Sequence, residues 1–95
     1  MVTAIILLKV EHDKINVVAE RLAGMKAISE VYSVGGRYDL VAIVRVKENE
    51  ELADVVTKHM VGLEGIRKTE TMVAFRAYSR HDLEATFSVG LEDPA

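Results

Sequence analysis

The sequence has no cysteine and no tryptophan, a single proline, and only 5% aromatic residues. The lack of cysteine excludes disulfides, thiolate catalysis and cysteine-based zinc sites, and it fits a cytoplasmic location. Because 49% of the chain is nevertheless hydrophobic, its core has to be aliphatic. We therefore expect one folded domain held together by Val, Ile, Leu and Ala side chains.

Basic clusters and long apolar runs are also missing. The twelve Lys and Arg residues form no run and the net charge is −3, whereas a nucleic-acid surface needs concentrated positive charge. The apolar N-terminus is interrupted by Lys9 and Glu11, far short of a membrane span, and it has no basic region typical of a signal peptide. We expect no direct DNA contact and no membrane segment.

The polar residues show no pattern typical of catalysis or metal binding. The three histidines, His12, His59 and His81, share no ligand spacing. No serine lies in a nucleophile elbow or directly beside a histidine. Phe75 and Tyr78 lack the glycine-aromatic pattern with which sheets of this strand order stack RNA bases. We expect neither an enzyme nor a metal or cofactor site.

A glycine pair between two segments rich in β-branched residues predicts a β-hairpin. Adjacent glycines tolerate positive φ and leave backbone amides open to a small ligand. A tyrosine and an aspartate follow, which place a ring, a hydroxyl and a carboxylate beside those amides. These residues could bind a ligand, or they could serve only the turn. They are Gly35, Gly36, Tyr38 and Asp39.

Hydrophobic periodicity predicts a strand–helix–strand unit that occurs twice in the chain. The first strand is apolar at both parities, which is typical of a strand covered on both faces. Asp13 and Asn49 are the predicted N-caps of the two helices. The predicted strands are 3–10, 28–34, 38–46 and 66–78, and the predicted helices are 14–23 and the segment between Asn49 and Gly62.

A short internal repeat supports this order, because residues 24–28 are echoed by residues 62–66 between each helix and the following strand. The order β-α-β-β-α-β predicts an α+β, ferredoxin-like fold, a four-stranded antiparallel sheet with both helices on one face. The other face would keep several apolar side chains, which predicts a dimer packed sheet to sheet. We assign this domain to residues 1–79 and a short C-terminal helix and tail, presenting Leu83 and Phe87, to residues 80–95.

Two threonines on the last predicted strand also stand out. Thr69 and Thr71 are two residues apart and therefore share one face of the sheet. Ordinary β-propensity is enough to explain them, and by themselves they indicate no ligand.

Taken together, these segments resemble the ligand-binding (RAM) domain of the Lrp/AsnC family, the leucine-responsive and asparagine-operon regulators, over nearly the whole chain. The Gly-x-Tyr-Asp-Leu sequence in the hairpin is the most specific match. The resemblance implies a ferredoxin-like domain that pairs through its sheet, assembles into rings of eight or ten subunits, and binds amino acids or related small molecules between dimers. The matching segments are 31–40, 62–66 and 69–71.

The resemblance also implies the roles of individual residues. The hairpin would lend its amides and its aspartate to the ligand, and the two threonines would face them from a neighbouring subunit. The implied ligand-binding residues are Gly35, Gly36, Tyr38, Asp39, Thr69 and Thr71.

One feature departs from the family regulators, which carry an N-terminal helix-turn-helix domain. Here the first predicted strand begins at Thr3, so the chain resembles the stand-alone members, and DNA binding is not carried over. We expect a module that binds an amino acid between subunits, with the carboxylate on the glycine amides and the ammonium on Asp39, and that acts on transcription through partners. Two alternatives stay open: a structural partner that co-assembles with full-length regulators without a ligand, and an ACT-like regulatory domain.

Overall fold

A four-stranded antiparallel sheet carries two helices on one face in the computed structural model, which describes residues 1–78 and Arg80. The strand order is β2-β3-β1-β4, so the predicted ferredoxin-like fold is confirmed. The strands are β1 Val2–Val10, β2 Ile28–Ser33, β3 Leu40–Val46 and β4 Ile66–Val73; the helices are α1 Ile15–Ala23 and α2 Asn49–Asp54, which continues as a π-helical segment, Val55–His59. The predicted C-terminal helix with Leu83 and Phe87 lies outside the described residues.

The two faces of the sheet differ sharply in burial. In β1 every second side chain, from Ala4 to Val10, is fully buried, whereas the intervening side chains are only half-buried. Successive residues of a strand point to opposite faces, so the helices cover the first set and leave the second uncovered. The expectation that β1 is covered on both faces is therefore met on one face within a single chain.

The uncovered side of the sheet, which we call the open face, has an aliphatic centre. The register places Ile5 opposite Ile43, and Leu7 opposite Val41, on adjacent strands. No helix among residues 1–78 lies over these side chains, and each remains half-buried. The centre of the open face consists of Ile5, Leu7, Val41, Ile43 and Met72.

Both helices begin differently from the prediction. Asp13 lies inside a 3-10 turn, His12–Lys14, that precedes α1, and Asn49 is the first residue of α2 rather than its N-cap. No side chain among the described residues caps either helix. Extended residues precede the 3-10 turn and α2, and their backbone carbonyls, those of Glu11 and Glu48, accept the first amide hydrogen bonds. The N-cap of α1 itself is Lys14, which has a helical conformation because it ends the 3-10 turn. The predicted caps were wrong because backbone groups take their place.

The ends of two strands also differ from the prediction. Tyr38 and Asp39 belong to the loop, since β3 begins at Leu40, and β4 ends at Val73 rather than at residue 78. The Ala74 N–H still donates to the Thr3 carbonyl at 2.9 Å, but β1 begins at Val2 and offers little further backbone for pairing. The chain beyond residue 74 therefore leaves the sheet, and Phe75 is 98% exposed.

Gly65, in the turn before β4, is a position where only glycine fits. Its φ is +102°, and an added Cβ would lie 2.7 Å from the Lys14 Cβ. Its carbonyl accepts the Glu11 N–H at 2.8 Å, which ties the end of β1 to the start of β4. The conformation and the crowding together require a residue without a side chain.

Gly65→Ala is expected to lower the free energy of unfolding by about 2 kcal/mol or more, because a non-glycine residue in such a conformation costs roughly 1–3 kcal/mol before any clash. Urea denaturation measures this change. Gly62→Ala is the matched control: its added Cβ would meet nothing within 4 Å, so a change below about 0.5 kcal/mol is expected there. Equal losses in the two variants would contradict this account of Gly65.

Candidate functional site

The hairpin between β2 and β3 closes with a six-residue loop, residues 34–39, which follows the Ser33–Leu40 pair. The Val34 N–H donates to the Asp39 carbonyl at 3.0 Å and sets the width of this loop. Gly36 has a φ of +113°, whereas Gly35 is not in the positive region. Only the second glycine is therefore required by backbone conformation, although both are exposed with open space around them.

Asp39 joins the loop to β1. Its N–H donates to the Leu8 carbonyl at 2.9 Å, and its Oδ2 accepts the Val10 N–H at 2.9 Å. The pairing of β1 with β3 ends at Leu8 and Leu40, so the carboxylate supplies the partner that a further β3 residue would have given to Val10. Lys9 Nζ lies 3.9 Å from the same oxygen. Asp39 is 14% exposed in its side chain and has a structural role with or without a ligand.

The second carboxylate oxygen of Asp39, Oδ1, accepts no hydrogen bond from the described part of the chain. An ionised carboxylate can accept about four hydrogen bonds through its two oxygens. One oxygen can therefore hold Val10 while the other receives a donor from outside.

The side chain of Tyr38 extends over the open face towards β4. Its hydroxyl donates to Glu70 Oε2 at 2.7 Å, and Glu70 stands opposite Leu7 on β4. That hydrogen bond raises the pKa of the Tyr38 phenol, followed in size by desolvation and by the negative charge of Glu70, while Arg37 acts in the opposite direction. Since the bond favours the neutral phenol, it ties the loop to β4 at neutral pH.

Glu70 is a residue of this site that the sequence argument did not single out. The only signal was the alternation along β4, which puts it on the face opposite to its two threonine neighbours. Without knowledge of the strand pairing, that alternation says nothing about the loop.

Thr69 and Thr71 lie away from the loop residues within one chain. They stand opposite Leu8 and Ile6, which are buried on the helix-covered face. Both threonines are exposed because they lie on β4 at the margin of the sheet. Among the described residues, the Tyr38 side chain and the two threonines thus lie on different faces of the sheet.

A depression of about 450 Å³ lies beside the loop on the open face. We call it the basic depression, because three of its four lining residues are cationic. They are Lys9, Arg37 and Lys68, with Tyr38 as the fourth.

A second depression, of about 290 Å³, lies at the opposite end of the sheet, beside Val46 and Val55. It contains none of the predicted site residues. Among residues 1–78 and Arg80, no group of three or more His, Asp or Glu side chains could hold a metal ion. No helix in this part of the chain has the length and hydropathy needed to cross a lipid bilayer.

The family model of the Lrp/AsnC ligand binding domain matches residues 3–83. Among curated proteins, the chain is 38% identical over 78 residues to the HTH-type transcriptional regulator FL11 of Pyrococcus furiosus. The match covers 81% of this chain and 50% of the relative. The chain therefore spans about half the length of this curated relative.

Solved structures show the same fold. The structure of TTHA0845 from Thermus thermophilus is 49% identical with a TM-score of 0.79, and the match covers 84% of this chain and 100% of that one. The transcriptional regulator NMB0573 of Neisseria meningitidis, solved as a complex with L-Met, has a TM-score of 0.75 at 10% identity, covering 83% of this chain and 53% of that one. At that identity the likeness concerns the fold alone.

Proposed function

Because this chain belongs to the family of Lrp/AsnC ligand-binding domains, we propose that it is an effector-sensing module that binds an amino acid or a related small molecule. The observation that carries the proposal is the hairpin loop, a single six-residue segment that contains two exposed glycines and a carboxylate anchored on β1. The Neisseria regulator, which shares the fold, was solved as a complex with L-Met, and amino acids are accordingly the class of ligand that we propose to test.

The chemistry of the loop fits the head group of an α-amino acid. The N–H groups of Gly35 and Gly36 donate to no described residue and would bind the carboxylate. Oδ1 of Asp39 would accept the ammonium while Oδ2 keeps its bond to Val10. Two charge-assisted hydrogen bonds of opposite sense would select a zwitterion over a simple acid or amine.

The open face would pack against the same face of a second copy. Its aliphatic centre is only half-buried within one chain, and burial of apolar surface gains about 25 cal/mol per Å². Such dimers would then assemble into a ring of eight or ten subunits. A neighbouring subunit would bring its Thr69 and Thr71 to the loop, which fits the separation of these residues from the loop within one chain.

The link to transcription would pass through a partner. The relatives are helix-turn-helix regulators, and this chain matches about half of the first of them. A DNA-binding domain in another subunit of a mixed assembly would carry the response to the effector.

A second candidate function is a structural partner of full-length regulators that binds no ligand. The observation that favours it is the engagement of Asp39 by Val10 and Lys9, which explains this residue without any effector.

A thermal-shift screen of the twenty amino acids separates these two functions. A ligand that binds only the folded state stabilises it by about 2.7 kcal/mol at a hundred times its dissociation constant, so at least one amino acid should raise the Tm in a saturable way. Light scattering on the same sample reports the assembly. An oligomer that no amino acid stabilises would favour the structural partner.

A further inference from the structure

Two lysines lie directly opposite each other at one end of the open face. Lys9 on β1 is the register partner of Lys68 on β4, and like charges in this position are unfavourable. Lys9 has Asp39 at 3.9 Å, whereas Lys68 forms no ion pair with the described residues. Arg37 lines the same basic depression and likewise has no ion-pair partner in this part of the chain. The depression therefore concentrates positive charge.

The nearby carboxylates are already engaged by the chain itself. Asp39 accepts the Val10 N–H and lies near Lys9, and Glu70 accepts the Tyr38 hydroxyl. Neither forms an ion pair with Lys68 or Arg37. The open volume of about 450 Å³ beside these two cations has room for a small molecule.

We propose that the basic depression is a subsite for a second carboxylate, and that the effector is accordingly a dicarboxylic amino acid. This inference rests on the proposed function of the hairpin loop. Arg37 and Tyr38 belong to the loop and also line the depression, so the depression adjoins the proposed binding loop. The guanidinium of Arg37 suits a planar carboxylate, and the ammonium of Lys68 adds a point charge.

Glutamate and glutamine provide a matched test, because they have nearly the same shape and differ in side-chain charge. Calorimetry should show that the wild-type protein binds glutamate at least about tenfold more tightly than glutamine. In Lys68→Gln this preference should largely disappear through weaker glutamate binding, with glutamine binding unchanged. A charge-assisted hydrogen bond of roughly 1.5–3 kcal/mol corresponds to a loss of about ten- to a hundredfold.

Lys58→Gln is the control for the change in net charge. Lys58 pairs with Asp54 at 3.3 Å on the helical side of the molecule and lies outside the depression, so glutamate binding should stay at the wild-type value. Equal loss of glutamate binding in both lysine variants would overturn the subsite, because it would indicate a general effect of charge.

Glutarate, which has two carboxylates and no ammonium, separates this inference from the proposed function. If glutarate binds the wild-type protein but not Lys68→Gln while no amino acid binds, the anion subsite stands and the amino-acid module falls. Equal binding of glutamate and glutamine by the wild-type protein overturns the subsite, and so does the absence of binding by both glutamate and glutarate.

Discussion

Ile43→Asp is expected to reduce the assembled protein to monomers with a mass near 10.5 kDa. Ile43 lies at the centre of the open face, opposite Ile5, and a two-fold interface would place the new carboxylate in the contact twice. An unpaired charge in an apolar interface costs several kcal/mol. Within one chain the position is only half-buried, so the fold should survive.

Multi-angle light scattering measures the mass, and far-ultraviolet circular dichroism verifies the fold. Val61→Asp is the matched control, since Val61 is 75% exposed in the turn before β4 and lies outside the open face. It should keep the wild-type mass. A folded Ile43→Asp protein that also keeps the wild-type mass would exclude the open face as the subunit contact.

Asp39→Asn is expected to weaken effector binding by about ten- to a hundredfold. The substitution keeps the size and one oxygen that can accept the Val10 N–H, but it removes the negative charge that would hold the ligand ammonium. A charge-assisted hydrogen bond contributes roughly 1.5–3 kcal/mol, and each 1.4 kcal/mol is about tenfold in affinity. Calorimetry with the strongest ligand from the thermal-shift screen measures the loss.

The companion variant Asp39→Ala separates the ligand role from the structural one. It leaves the Val10 N–H without its partner, which costs about 1–3 kcal/mol of stability, whereas Asp39→Asn should stay within about 1 kcal/mol of the wild type. If the Asp39→Asn protein assembles normally and its ligand affinity is unchanged, Asp39 has no role in ligand binding and serves only to hold the loop against β1.

The layout of the fold was predictable because its signals are local. Alternation along the strands and helical spacing within residues 14–23 located the elements to within a few residues. The ends of the elements were less predictable, because they depend on neighbouring strands and on backbone hydrogen bonds. β4 ends close to the first residues of β1, its partner strand. The carbonyls of Glu11 and Glu48 accept amide hydrogen bonds where side-chain caps were expected.

The candidate site was predictable only as far as the hairpin. The pattern Gly-x-Tyr-Asp located the loop, and Gly36 has the positive φ that glycine permits. The hydrogen bonds between Val10 and Asp39 and between Tyr38 and Glu70 join residues about thirty positions apart. No pattern in the sequence predicts these pairs. The proximity of Lys9, Arg37 and Lys68 likewise depends on strand register.

The position of β4 at the end of the sheet has a consequence for handling the protein. Its outer row of backbone donors and acceptors faces no other strand among residues 1–78, and such an edge can recruit a strand from another molecule. A bulge between its pairs with Lys9 and Val10 interrupts the edge, and Lys68 and Glu70 place charge along it. Because salt screens such charges, concentrated samples should stay clear longest in dilute buffer.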